Sequence, residues 1–256
     1  MKLKKFKDLI LKNKESIFYF RYLEWDSNFF NKPSYILDIN KSNLIPTHKM
    51  KYKIINKLKK AFVSVKIDAS VNYKVIKFLQ ECGFKYIDTE VELEYIHKYD
   101  PVIHTKINKN IIVEKVSTNQ KLPYKKLGNS FSLTRFHTDD NINDKLADKL
   151  WVEYLKNFKS SNKKNMFIAR YKKSIVGVIL INIDKETNIA NLFFVAVLKE
   201  FQGLGVGQTL IQQVINEYSP KYKLTTGTQV KNINALNFYI KNGLLSIIKT
   251  RTVLHL

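Results

Sequence analysis

From residue 166 to residue 198 the chain alternates dense apolar runs with short polar breaks. Residues 166–171 predict a strand, 172–174 a turn and 175–183 a second strand. After the polar turn DKETN (184–188), the run IANLFFVAVL (189–198) predicts a third, completing an antiparallel meander. The period then changes. Leu210, Ile211, Val214, Ile215 and Tyr218 recur at helical spacing, with Pro220 beyond the end. Residues 224–230 predict another strand, 233–242 a short helix closed by Gly243, and 245–256 terminal strand material. In the amino-terminal half, residues 61–67 and 85–96 read as strands. The second carries Asp88, Glu90, Glu92 and Glu94 on one face and Ile87, Thr89, Val91 and Leu93 on the other. Such a row is ordinarily the wet side of a sheet.

Between the meander and its helix lies FQGLGVGQTL (201–210), with Gly203, Gly205 and Gly207 on alternate positions. The spacing is not G-x-G-x-x-G, which excludes a dinucleotide fingerprint, and no lysine precedes Thr209 as a nucleotide-triphosphate loop requires. Backbone amides at a helix start still point outward with a positive partial charge, and glycines allow a pyrophosphate to come close. In NINALNFYIKNGL (232–244), Asn232, Ala235 and Tyr239 form one helical stripe, while Ile233, Leu236 and Ile240 form another that is expected to face the core. The first stripe is polar at both ends and nearly bare in the middle, the shape of a groove for a slender ligand. An N-capping asparagine and a half-buried tyrosine would give the same pattern without a ligand.

Gln202-Gly203-Leu204-Gly205-Val206-Gly207 and Asn232-x-x-Ala235-x-x-Phe238-Tyr239-x-x-x-Gly243 resemble the two motifs of the GNAT superfamily of N-acetyltransferases, over about residues 166–250. The resemblance implies a mixed-sheet α/β fold (α+β in its strand order) and acetyl-coenzyme A as co-substrate. It places the pantetheine arm along Val195, Ala196 and Val197, and the pyrophosphate on amides of residues 203–208, Gln208 included. It sets Asn232 against the arm and makes Tyr239 the acid that protonates the departing thiolate.

Asn72-x-x-Val75-x-x-Phe78-Leu79-x-x-x-Gly83 echoes the second motif, without a glycine loop and with Val75 where Ala235 leaves space. This suggests a degenerate GNAT-like half-domain over residues 1–100 that shapes the acceptor site, followed by a catalytic GNAT domain over 111–256. LEWDSNFF (23–30), Gly83-Phe84 through Glu90-Val91-Glu92, Thr134-Arg135-Phe136-His137, and Thr228-Gln229-Val230-Lys231-Asn232 through Tyr239 resemble the dTDP-fucosamine acetyltransferase branch. That likeness implies transfer to the 4-amino group of a nucleotide-linked 4-amino-4,6-dideoxy sugar used in polysaccharide biosynthesis. Asp88, standing where the branch has glutamate, becomes the first choice of base and acceptor contact, with Glu90 second. Arg135 and His137 are set against the nucleotide diphosphate, His137 standing where a second arginine is expected. A surface role for both remains open.

The 256-residue length accommodates one large domain or two small ones. The formal charge of +22 comes from scattered basic residues with only short runs (1–7, 49–60, 172–173), and no nucleic-acid signature accompanies them. It favours an anionic small substrate. The single cysteine, Cys82, excludes an internal disulfide, and no apolar run reaches the roughly 18 residues of a membrane span. A reduced, soluble, cytoplasmic protein is expected. His48, His97, His104, His137 and His255 show no metal-binding spacing, so no metal is expected. The rival readings are the same chemistry on a protein amino terminus, an amino acid or an aminoglycoside, and a GNAT-derived module that binds RNA without catalysis. Whether the chain pairs as a homodimer is left open.

Overall fold

The computed structural model describes residues 7–71, 73–96, 108–116, 120–161 and 163–256. Asn72, which opens the echoed motif, lies outside the described residues, as do His97, His104 and most of the basic run at residues 1–7. The chain divides into two compact units, Met1–Glu90 with Lys249–Leu256, and Val91–Ile248.

In order, the first stretch forms β1 (Leu9–Lys12), β2 (Ile17–Tyr22), α1 (Glu24–Phe30), β3 (Ser34–Leu37), α2 (His48–Leu58), β4 (Phe62–Asp68), α3 (Tyr73–Glu81) and β5 (Lys85–Tyr95). There follow β6 (Ile111–Val116), α4 (Tyr124–Gly128), α5 (Arg135–Thr138), α6 (Asp144–Asn157), β7 (Lys164–Tyr171), β8 (Ser174–Asp184) and β9 (Ile189–Val197). After a 3-10 turn (Lys199–Phe201) come α7 (Val206–Tyr218), β10 (Lys223–Gln229), α8 (Ile233–Lys241) and β11 (Leu244–His255).

In the first unit the strands lie in the order β1-β2-β3-β4-β11, with β3 and β4 parallel and the other registered pairs antiparallel. Phe18, Phe20, Ile54, Val65, Leu79 and Leu254 fill its core. Helix α3 turns Val75, Phe78 and Leu79 inward. Asp88 is 4% exposed. The carboxylate row of β5 is therefore not uniformly wet.

In the second unit β6, β7, β8 and β9 form the antiparallel meander, and β9 pairs with β10 in parallel. Two apolar layers flank this sheet. One holds Leu210, Ile211, Val214 and Ile215 of α7 with Tyr239 of α8, and the other holds Leu127 of α4 and Leu155 of α6. Helix α8 corrects one expectation. Ile233 and Ile240 are 56% and 44% exposed, and the helix instead packs through Ala235, Leu236, Phe238 and the buried Tyr239. Two apolar stripes compete on this short helix, and the aromatic one buries more area.

Candidate active site

The registered pairs of β9 with β10 run from Ile189↔Lys223 to Leu192↔Thr226. At that point the pairing of β9 with β8 jumps from Leu192↔Ile181 to Phe194↔Leu180, so Phe193 is an extra residue in β9, a bulge. An added residue exchanges the faces of everything after it. Ala190 and Leu192 accordingly sit in the layer of α7, whereas Phe194 and Ala196 sit in the layer of α4 and α6, and Val195 and Val197 turn toward α7. Past the bulge β9 has no registered pair with β10 among the described residues. The strands part.

The amides along this parting can be assigned. The Leu198 amide donates to the Val176 carbonyl at 2.9 Å. Alternate residues of an antiparallel strand address the same neighbour, so Ala196 bonds back to β8 while the amides and carbonyls of Val195 and Val197 face the opening. The Gln202 Nε2 group donates to the Val197 carbonyl from that side, at 3.2 Å. Residues 193–197, at about 3.3 Å each, give the opening a depth of roughly 13 Å.

The glycine loop forms its mouth. Gly203 and Gly205 have φ of 77° and 84°, in the left-handed region where a side chain is strained. Space beside Gly203 is open to 4 Å. Gly205 is the N-cap of α7 and supplies no side-chain cap, so the first-turn amides that follow depend on another acceptor. Leu204 is half exposed and its carbonyl accepts from Asn108, whereas Val206 is buried. A Cβ on Gly207 would lie 3.0 Å from the Phe238 ring and 3.6 Å from Val197 Cγ2. Only glycine lets α7, α8 and the end of β9 meet this closely.

The other end of the opening is closed by Tyr239. The Thr226 hydroxyl donates to the Leu192 carbonyl at 2.8 Å, at the last registered pair, and its oxygen lies beside the Tyr239 phenol. Burial holds the phenol above its ordinary value of 10.0, and the bond to Thr226 offsets part of that rise. Tyr239 is 7% exposed and stays protonated at neutral pH. Asn232 caps α8, its Oδ1 accepting from the Ala235 amide at 3.2 Å. Val195, Val197, Gln202, the glycine loop and Tyr239 are thus arranged along the parting of β9, whereas the described bond of Asn232 is the cap of α8.

The remaining predicted residues have other settings. Arg135 begins α5, with its guanidinium 4.5 Å from the Phe136 ring centre. His137 is held at both nitrogens, Nδ1 by Thr134 Oγ1 at 2.8 Å and Nε2 by Asp148 at 3.1 Å. Lys231, beside Asn232, donates to Thr138 at the end of α5. Asp88 and Glu90 belong to the first unit. There Asp88 Oδ1 accepts from the Thr89 amide at 2.8 Å, and Glu90 pairs with Lys66 at 2.7 Å. Thr226 and Phe193 carry no sequence mark that singles them out, and Lys231 appears only within the segment 228–232 that resembles the fucosamine branch. Only the doublet Phe193-Phe194, in a run without alternation, hints at the bulge. Among the described residues no group of three or more His, Cys, Asp or Glu side chains is placed to hold a metal ion, and no helix is long and apolar enough to cross a membrane.

A parted strand pair, a glycine-started helix at its mouth and a buried phenol at its closed end define an acyl-coenzyme A-dependent N-acetyltransferase. Residues 131–244 match the Acetyltransferase (GNAT) family, and this stretch contains the whole opening. No curated protein matches the chain. A functionally unknown conserved protein from Staphylococcus epidermidis is similar in structure at 14% identity, with 96% of this chain and 92% of that one covered and a TM-score of 0.63. A tandem GNAT protein from the clavulanic acid biosynthesis pathway is 10% identical, with coverage of 97% and 82% and a TM-score of 0.62. A GCN5-related N-acetyltransferase from Sphaerobacter thermophilus is 12% identical, with coverage of 96% and 82% and a TM-score of 0.61. At these identities the likeness establishes the fold.

Proposed function

We propose that the protein transfers acetyl from acetyl-coenzyme A to the 4-amino group of a nucleotide-linked 4-amino-4,6-dideoxy sugar, by direct attack in a ternary complex. One observation carries the reading: the opening between β9 and β10 has amide donors at its mouth, exposed strand amides along its length and the Tyr239 hydroxyl at its closed end. A thioester carrier laid along it sets its diphosphate on residues 203–208, its amide-bearing arm on Val195 and Val197, and its acyl end beside Tyr239.

In this mechanism a carboxylate, with Asp88 first and Glu90 second, accepts a proton from the sugar ammonium through water. The neutral amine then attacks the thioester carbonyl. The oxyanion that forms is stabilised by backbone amides near Val197, and collapse breaks the carbon–sulfur bond. Tyr239 gives its proton to the departing thiolate, and no acyl-enzyme forms. The sugar-nucleotide class rests on the resemblance of residues 23–30, 83–92, 134–137 and 228–239 to the fucosamine branch, together with a cationic setting. Lys231 donates to Thr138 four residues from its helix-mate Thr134, which ties α5 and its Arg135 to the start of α8. A guanidinium there suits a diphosphate. The first unit is proposed to be a degenerate GNAT-like half that shapes the acceptor site.

Free-thiol release tests the reading. Purified protein and acetyl-coenzyme A are incubated with dTDP-4-amino-4,6-dideoxygalactose, its gluco epimer, an aminoglycoside, amino acids and a peptide amino terminus. Turnover is expected with an amino sugar nucleotide and not with the others. Preferred turnover of an aminoglycoside or peptide would replace the acceptor, and salt-sensitive RNA binding without thiol release would replace the function.

A further inference from the structure

A cavity of about 620 Å³ is lined by residues of α4, of the loop after it and of the 3-10 turn that leads into the glycine loop. Lys125 and Lys126 reach it from α4, Ser130 and Ser132 from the loop, and Lys199 and Gln202 from the turn. Lys126 is paired with Glu200, the one acidic side chain in the wall, at 3.1 Å. Among the described residues Lys125 and Lys199 hold no ion pair, so the wall carries uncompensated positive charge. A concave wall with unpaired ammonium groups and hydroxyls attracts an anion with several acceptor oxygens.

Its place in the fold separates this cavity from the donor's diphosphate site. Helix α4 packs through Leu127 into the layer shared with α6, whereas α7 packs into the layer on the other face of the sheet. Gln202 connects the two, because its side chain lines the cavity and donates to the Val197 carbonyl at the edge of the opening. An anion seated in the cavity therefore lies beside the donor channel without occupying its amide donors.

We propose that this cavity is an anion subsite for the acceptor, holding a phosphate or diphosphate attached to the amine that receives the acetyl group. The assignment rests on the acetyl-transfer reading and moves the acceptor's phosphate contact from Arg135 of α5 to Lys125 and Lys199, on α4 and the 3-10 turn. The acceptor must then reach the enzyme already phosphorylated or nucleotide-linked, so the reaction that supplies it is a phosphoryl or nucleotidyl transfer upstream.

Calorimetric titration of inorganic pyrophosphate into protein saturated with coenzyme A tests the subsite without turnover. Pyrophosphate is expected to bind with coenzyme A in place. Lys125→Gln with Lys199→Gln should weaken that binding about tenfold or more, the equivalent of losing one charge-assisted hydrogen bond. Both side chains are exposed, so the fold and coenzyme A affinity are expected to be unchanged. In turnover, the same variant should raise KM for the nucleotide sugar by a similar factor and leave KM for the methyl glycoside of that amino sugar unaltered. Pyrophosphate binding that coenzyme A abolishes would assign the cavity to the donor and overturn the proposal. So would pyrophosphate binding that is absent, or unchanged in the variant. Absent thiol release with every amine contradicts the transfer reading instead, so the two failures are told apart.

Discussion

Tyr239 carries the acid role through its surroundings. Burial keeps the phenol protonated, and Thr226 lies beside it at the point where the strands part. Tyr239→Phe is expected to lower kcat by about 10²–10⁴, the usual worth of a general acid, with coenzyme A affinity nearly intact. Steady-state thiol release and coenzyme A titration check both halves. The pH dependence has a definite sign. The active form is the protonated one and burial raises its pKa, so ionisation of Tyr239 costs rate only above its ordinary value of 10.0. A limb below pH 9 that disappears in Tyr239→Phe would contradict this. Gly205→Ala places a side chain at a φ of 84° and should cost about 1–2 kcal/mol of stability while weakening coenzyme A binding, as thermal melts with and without ligand would show. The glycines and Tyr239 were legible in the sequence because their spacing is unusual. Thr226 was not, since a threonine in a strand looks like any other. The Ile233, Leu236 and Ile240 stripe misled because helical spacing alone does not say which of two apolar faces is buried.

The strand, loop and helix order from residue 164 to residue 255 was readable to within a residue or two, because each element has a clear period and a polar break or glycine at its end. The bulge was not. Every residue of LFFVAVL (192–198) is apolar, so both registers look alike, and β9 is covered on both faces. Yet the bulge opens the site. Deleting Phe193 should restore strict alternation, return Val195 and Val197 to the wrong face and abolish coenzyme A binding, with loss of cooperative unfolding. A variant that bound coenzyme A normally would show that the parting of β9 from β10 has another cause. Helices α4 and α5 escaped the sequence reading because five and four residues are too short to show a period.

For the chain as a whole, the two units and the use of residues 249–256 in the first of them depend on strand partners far apart in sequence, which local pattern does not encode. The charge of +22 is legible, but its destination is not. Steering of anionic substrates predicts that raising salt from 0.05 to 0.5 M increases KM for donor and acceptor with little change in kcat, because such attraction is screened within a Debye length of about 10 Å at 0.1 M. A fall in kcat with constant KM would contradict it. The central claim is that an acyl carrier lies in the opening between β9 and β10, and a crystal structure with bound coenzyme A tests it most directly. Diphosphate oxygens about 3 Å from the amides of residues 203–208, with the arm paired to Val195 and Val197, are the predicted result. Coenzyme A bound elsewhere, with the glycine loop empty, would contradict it.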